Sequence, residues 1–179
     1  MYARESNAGF IFALSGFFFF SLLCCGWLTT RTVNDIIFNK ECGNYLGRAA
    51  NASTVEITKE QLKIAITYLE KEKLTEGFTS ILYRTPDEDV GYWYKNLCSD
   101  LQVLESLPAN STELEKSNTL IRVRETLVIK SQGSEYVLCP EGISIFPHNT
   151  LFMFWGWITF LIAGMFFIAM IYIKREFFF

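Results

Sequence analysis

The sequence predicts an all-α membrane protein: two transmembrane helices flanking an exported three- or four-helix bundle, with a short irregular or β segment before the second span. Three observations predict it. Residues 8–28 and 150–173 are apolar and carry no charged side chain. Each stretch matches the roughly 20 residues that cover a ~30 Å hydrocarbon core at ~1.5 Å per residue. The polar segment between them, about 120 residues long, is large enough for one core and too small for two. Within that segment apolar residues recur at helical spacing, and helix-starting signals outnumber strand signals.

The chain divides accordingly: a cytoplasmic tail 1–7, a first span 8–28, an exported helical domain 31–139, an extended linker 140–149, a second span 150–173 and a cytoplasmic tail 174–179. The first span reads as an uncleaved signal-anchor. Its apolar run exceeds the usual ~7–15 residues of a signal peptide, and Leu28-Thr29-Thr30 is a poor small-residue cleavage site. Arg4, Lys174 and Arg175 lie in the tails, whereas the fifteen residues before the second span hold no Lys or Arg. That bias puts the tails in the cytoplasm and the domain on the periplasmic or lumenal side. Three loop cysteines (Cys42, Cys98, Cys139) and two Asn-x-Ser/Thr sequons at Asn51 and Asn110 suit an exported, oxidising compartment.

Residues 31–149 carry 13 Lys and Arg against 17 Asp and Glu, a net charge of −4. An acidic balance with no polybasic run gives no electrostatic reason to bind nucleic acid or anionic lipid.

Each element follows in order. Val33, Ile36, Ile37, Tyr45 and Leu46 keep a loose helical spacing, so the first membrane helix is expected to continue past its span, with Gly43 and Gly47 weakening its end. Thr58-Lys59-Glu60-Gln61 reads as a capping box opening a helix with Leu62, Ala65, Ile66 and Leu69 on one face and Gly77 as its stop. Thr85-Pro86-Asp87-Glu88-Asp89 combines a capping Thr, Pro at the first helical position and acids where the helix dipole favours them. Behind it Val90, Trp93, Leu97, Leu101, Leu104 and Leu107 recur at steps of three and four until Pro108. A fourth helix is expected from about 110–113, with Leu114, Ile121 and Val128 as its seam, widened by Leu120 and Leu127. Arg122 and Arg124 are left for solvent or a partner. Ser131-Gln132-Gly133-Ser134 is turn chemistry, and residues 135–138 read as a short strand or extended chain.

No motif names a reaction. Asp87, Glu88 and Asp89 are consecutive, point in different directions and lack the D-x-D-x-D-G context of a calcium loop, so a dipole-matched helix start is the better reading. A single His148 leaves no zinc set and no Ser–His–Asp or Cys–His arrangement; it reads as an interfacial hydrogen-bonding residue. The loop cysteines allow one disulfide or free thiols throughout; if a bond forms, Cys42–Cys139 is the preferred pairing, because both lie close in sequence to a span. Cys98 falls inside a helix. Gly9, Ala13 and Gly16 in the first span, with Gly156, Ala163 and Gly164 in the second, form small-residue faces through which membrane helices approach closely. Trp155, Trp157 and Tyr172 sit near the ends of the second span, where an aromatic belt belongs. The runs at 17–20, 166–167 and 177–179 are Phe-rich. No cofactor is predicted, although such runs leave room for pigment or lipid contacts.

Residues 83–94 (YRTPDEDVGYWY) and 140–149 (PEGISIFPHN) resemble segments of small two-span membrane proteins of unknown function from oxygenic phototrophs, the cyanobacteria. The resemblance implies a thylakoid or plasma-membrane protein near photosynthetic or other large membrane assemblies, and carries over no functional residues. The expectation is a non-enzymatic accessory, assembly or stabilising subunit whose partners are other integral membrane subunits and lipid. A ligand-sensing exported domain that signals through a partner is the alternative.

Overall fold

Helix α1 runs unbroken from Tyr2 to Phe38, far longer than its apolar run. Nothing between Trp27 and Phe38 stops a helix, and the polar residues there satisfy themselves within it. Thr29, Thr30 and Thr32 donate their hydroxyls to the carbonyls of Cys25, Gly26 and Leu28, each at 2.9 Å. The structure, a computed structural model, describes residues 2–131 and 133–178. Gln132 of the expected turn lies outside the described residues, as do the side chains of Arg4, Glu5 and Phe177 and the whole of Phe179. The chain forms two compact units, one of residues 1–33 with 150–179 and one of residues 34–149.

The first unit is a pair of helices: the apolar part of α1 and α6 (Asn149–Phe178). Both are long and apolar enough to cross a membrane. They pair antiparallel, since Gly9 lies against Ile173, Gly16 against Phe166 and Gly156 against Trp27. Only one stripe of each helix is covered. Ala13 and Thr159 are buried, while Leu22, Met165 and Ile168 are about two-thirds exposed.

The second unit is helical with one small sheet. A π-helical turn at Asn39–Gly43 leads into α2 (Asn44–Ala50). The extra residue of such a turn resets the facing of the helix, and Cys42, Leu46, Ala49 and Ala50 all point into the core. Next, α3 (Val55–Lys71) buries Val55, Thr58, Leu62, Ala65, Ile66 and Leu69 along one face. Both of its ends differ from expectation. Thr54 caps it by accepting from Ile57 N–H, whereas Thr58 is fully buried and donates to the Thr54 carbonyl. The helix runs one turn further back because Val55 has an apolar site to fill. At the other end the helix is closed at Lys73, which takes the left-handed conformation (φ 58°), four residues before Gly77 (φ 105°); Leu74 N–H reaches the Leu69 carbonyl and Lys73 N–H the Glu70 carbonyl. This closing motif needs an apolar residue after the turn, which Leu74 supplies from the core.

The Thr85–Pro86 signal opens only a 3-10 turn, Pro86–Glu88. The α-helix itself, α4 (Val90–Glu105), begins after Asp89, whose carboxylate accepts from Tyr92 N–H at 2.9 Å. Trp93, Leu97 and Leu104 are buried along it. Helix α5 (Glu113–Leu127) starts as the sequence predicts, with a reciprocal capping box between Thr112 and Glu115. Its seam is rotated: Val123 and Leu127 are buried, while Leu114 and Ile121 are 71% and 54% exposed. Val128 leaves the helix for strand β1 (Val128–Ser131), which pairs antiparallel with β2 (Ser134–Val137), Val128 opposite Val137.

Residues 140–149 are no extended linker. Gly142 is left-handed (φ 73°), a 3-10 turn follows at Ile143–Ile145, and Ile143 is buried in the core. Asn149 closes the segment by donating to the Gly142 carbonyl at 3.0 Å. An apolar residue beside a left-handed glycine folds the chain back onto the bundle.

Candidate functional site

The small residues of the helix pair are mostly occupied from within. A Cβ on Gly16 would stand 2.5 Å from the Phe166 ring, and one on Gly156 would stand 2.8 Å from the indole of Trp27. The ring of Trp27 reaches that place to donate its Nε1–H to the Phe152 carbonyl at 2.7 Å. Gly9 has Ile173 at 3.9 Å, and Ala13 is buried. Ala163 is half-buried, and Gly164 has nothing within 4 Å. These glycines therefore serve pairing of the chain's own two helices first, and Gly164 is left open. Aromatic rings fill the same seam: Phe166 lies 5.9 Å from both Phe12 and Phe20, and Phe167 lies 5.6 Å from Phe17. Much of the Phe-rich surface beyond the seam is exposed, with Phe18 at 64%.

In the second unit the five-residue π turn and the segment after β2 bring Cys42 and Cys139 into one neighbourhood. Val137 lies 3.4 Å from the Cβ position of Gly47, which holds the end of β2 against α2. Cys139 packs against the core that contains Cys42. Both are free thiols, as are Cys24, Cys25 and Cys98. Burial, with a smaller contribution from Cys139, pushes the Cys42 thiol far above its ordinary value; burial pushes Cys139 up to about 12. Both stay neutral at physiological pH.

Beside them opens a cleft of about 440 Å³, lined among others by Asp35, Phe38, Asn39, Tyr136, Cys139 and Glu141. Its size is that of a small-molecule pocket.

The other singled-out residues have local roles. Asp89 caps α4, Glu88 accepts from the Thr85 hydroxyl, and Asp87 is exposed. Arg124 is tied to Glu135 at 2.6 Å. His148 is exposed. Among the described residues no three His, Cys, Asp or Glu side chains gather to hold a metal ion.

Sequence reasoning missed Asp100. It is 5% exposed inside α4, and the Thr126 hydroxyl of α5 donates to it. Burial raises its carboxyl above the usual range, against the lowering effects of Thr126 and Arg122. An acid amid Leu97, Leu101 and Leu104 was the available signal.

No family model, curated protein or solved structure matches this chain.

The residues brought together thus form an internally satisfied helix pair and an acidic, thiol-bordered cleft. Among the exposed apolar side chains of the second unit, Leu82, Tyr83, Tyr92 and Leu114 are each more than 60% exposed.

Proposed function

We propose that this chain is a two-span membrane protein acting as a non-enzymatic accessory or assembly subunit of a larger integral membrane complex, with residues 34–149 on the periplasmic or lumenal side. The observation that carries the reading is surface apolarity. The two long helices cover one stripe of each other and leave large side chains outward, including Ile11, Phe12, Phe160 and Leu161. Lipid accommodates that surface, and close approach by another helix needs a small residue that is still open. Gly164 is such a residue. The resemblance of residues 83–94 and 140–149 to small two-span proteins of oxygenic phototrophs supports a thylakoid or plasma-membrane setting.

Purification in a mild detergent, followed by native gel migration, tests the reading. The wild type is expected to co-migrate with larger membrane subunits, and Gly164→Leu to reduce that association while Met165→Ala leaves it intact. A wild type that migrates alone in every mild detergent overturns the reading. Sidedness is tested separately: a cysteine introduced at exposed Lys71 should react with a membrane-impermeant reagent in intact cells, and reaction only after permeabilisation inverts the topology.

The cleft beside Cys139 favours one second reading, a ligand-sensing domain that signals through a partner. Monomeric migration together with saturable small-molecule binding, lost on Tyr136→Ala, would select it.

A further inference from the structure

Between Phe78 and Asp89 the chain leaves the bundle and returns. The two residues form an antiparallel bridge, with Thr79 N–H on the Glu88 carbonyl and Val90 N–H on the Gly77 carbonyl, both at 3.0 Å. The excursion is tied down at further points. The Arg84 guanidinium lies 5.1 Å from the Phe78 ring centroid. Glu88 N–H donates to the Thr85 carbonyl at 3.2 Å, and Asp89 N–H to the Pro86 carbonyl at 3.3 Å. At its tip three large apolar residues follow one another: Ile81, Leu82 and Tyr83 are 38%, 79% and 80% exposed. A loop whose base is this heavily fastened presents its tip in a set conformation, and pre-organisation of that kind lowers the entropic cost of docking.

The charge around the tip narrows the occupant. Asp87 and Glu76 are exposed, Glu88 and Asp89 half-buried, and Arg84 is the one cation on the loop. Glu76 stands beside the first turn of α4, its Cα 3.5 Å from the Cβ position of Gly91. On the loop itself three carboxylates against one guanidinium disfavour an anionic lipid surface and complement a basic rim.

We propose that Ile81, Leu82 and Tyr83 form a docking knob that enters an apolar pocket rimmed by Lys and Arg on a partner protein. The inference rests on the accessory-subunit reading and names the surface through which the second unit engages its complex. A photoreactive phenylalanine analogue at position 83, carried by the full chain in its native membrane, tests it. Irradiation should give one discrete protein adduct whose cross-linked peptide holds Lys or Arg beside apolar residues. Leu82→Ser should cut its yield about tenfold, the effect of removing an interface anchor. Asp87→Lys should lower the yield too, and raised ionic strength should act in the same direction. Both substitutions are exposed, so the thermal transition should stay that of the wild type. Adducts with lipid only, or a yield indifferent to Leu82→Ser, overturn the knob. No adduct while the chain still co-migrates with larger subunits overturns the knob and leaves the accessory reading standing. A wild type that neither cross-links nor co-migrates overturns both.

Discussion

The indole Nε1–H of Trp27 donates to the carbonyl of Phe152, 125 residues away, at 2.7 Å, and the ring occupies the space that a side chain on Gly156 would need. One interaction thus joins the two long helices and explains why residue 156 is glycine. Gly156→Ala is expected to displace the indole and destabilise the helix pair by about 1–3 kcal/mol, the usual cost of overpacking. Trp27→Phe should cost roughly 0.6–1 kcal/mol for the lost hydrogen bond. Gly164→Ala, which meets nothing within 4 Å, should be neutral. Unfolding in detergent, followed by protease protection of the helix pair, ranks the three.

Trp93 anchors α4 twice, through a ring that is 7% exposed and through Nε1–H, which donates to the Leu138 carbonyl at 2.8 Å. Trp93→Ala is expected to cost on the order of 3–5 kcal/mol. Trp93→Phe retains most of the ring and should lose about 1 kcal/mol with the hydrogen bond. Thermal unfolding of the full chain measures both, and unchanged stability in the alanine variant would refute the core assignment.

The start of α4 distinguishes two caps. Asp89→Ala should cost about 1 kcal/mol, because Asp89 satisfies Tyr92 N–H at the true helix start. Thr85→Ala, at the head of a short 3-10 turn, should change stability by less than about 0.5 kcal/mol. Denaturant midpoints of the two variants order them.

Asp100 makes stability pH-dependent. Its folded-state carboxyl is raised above the ordinary 3.8, mainly by burial, so the native state binds the proton more tightly than the unfolded state. The contribution is complete below pH 3.8 and is lost as pH rises through the folded value. Asp100→Asn keeps a polar group for Thr126 and cannot ionise. The variant should therefore gain relative to wild type as pH rises out of that window, with the difference smallest at the acid end. Unfolding curves across the acid range check the sign.

Cys42 and Cys139 share a neighbourhood, and we propose their pairing in an oxidising compartment. Their raised pKa values leave little thiolate in the folded state, so bond formation belongs to the folding chain, before burial. Closing a loop of nearly 100 residues contributes roughly 4–5 kcal/mol in the chain-entropy model. Non-reducing peptide mapping of protein made in its own membrane should show the bond. Three free loop thiols, or a bond to Cys98, would exclude this pairing.

How much of this was legible beforehand varies with the physics involved. Two uncharged stretches at the chain's ends declare two long helices without reference to anything else, because length and apolarity suffice. The helix start expected near 110–113 and the Val90–Leu104 periodicity are likewise local, and the helices follow them. Local signals misled where packing overrode them. Val55 draws α3 back past the Thr58 box, Leu74 moves its end to Lys73, and Ile143 folds a proline-bracketed stretch into the core. Of the expected α5 seam, Leu120 and Leu127 face the core while Leu114 and Ile121 do not, since all four are equally apolar and only the facing surfaces choose between them.

The candidate site divides along the same line. Sequence by itself determined that Gly16 and Gly156 lie on helix faces able to make close contacts, and that no familiar catalytic set is written in the chain. Only the tertiary structure decided what fills those faces, because Trp27 and Phe166 reach them from the far end of the chain. It alone showed that Cys42 and Cys139 share a neighbourhood, that Asp100 is buried against Thr126, and that Leu82 and Tyr83 stand exposed on a fastened loop. Each of those facts depends on contacts between residues distant in sequence, which periodicity and capping rules do not encode.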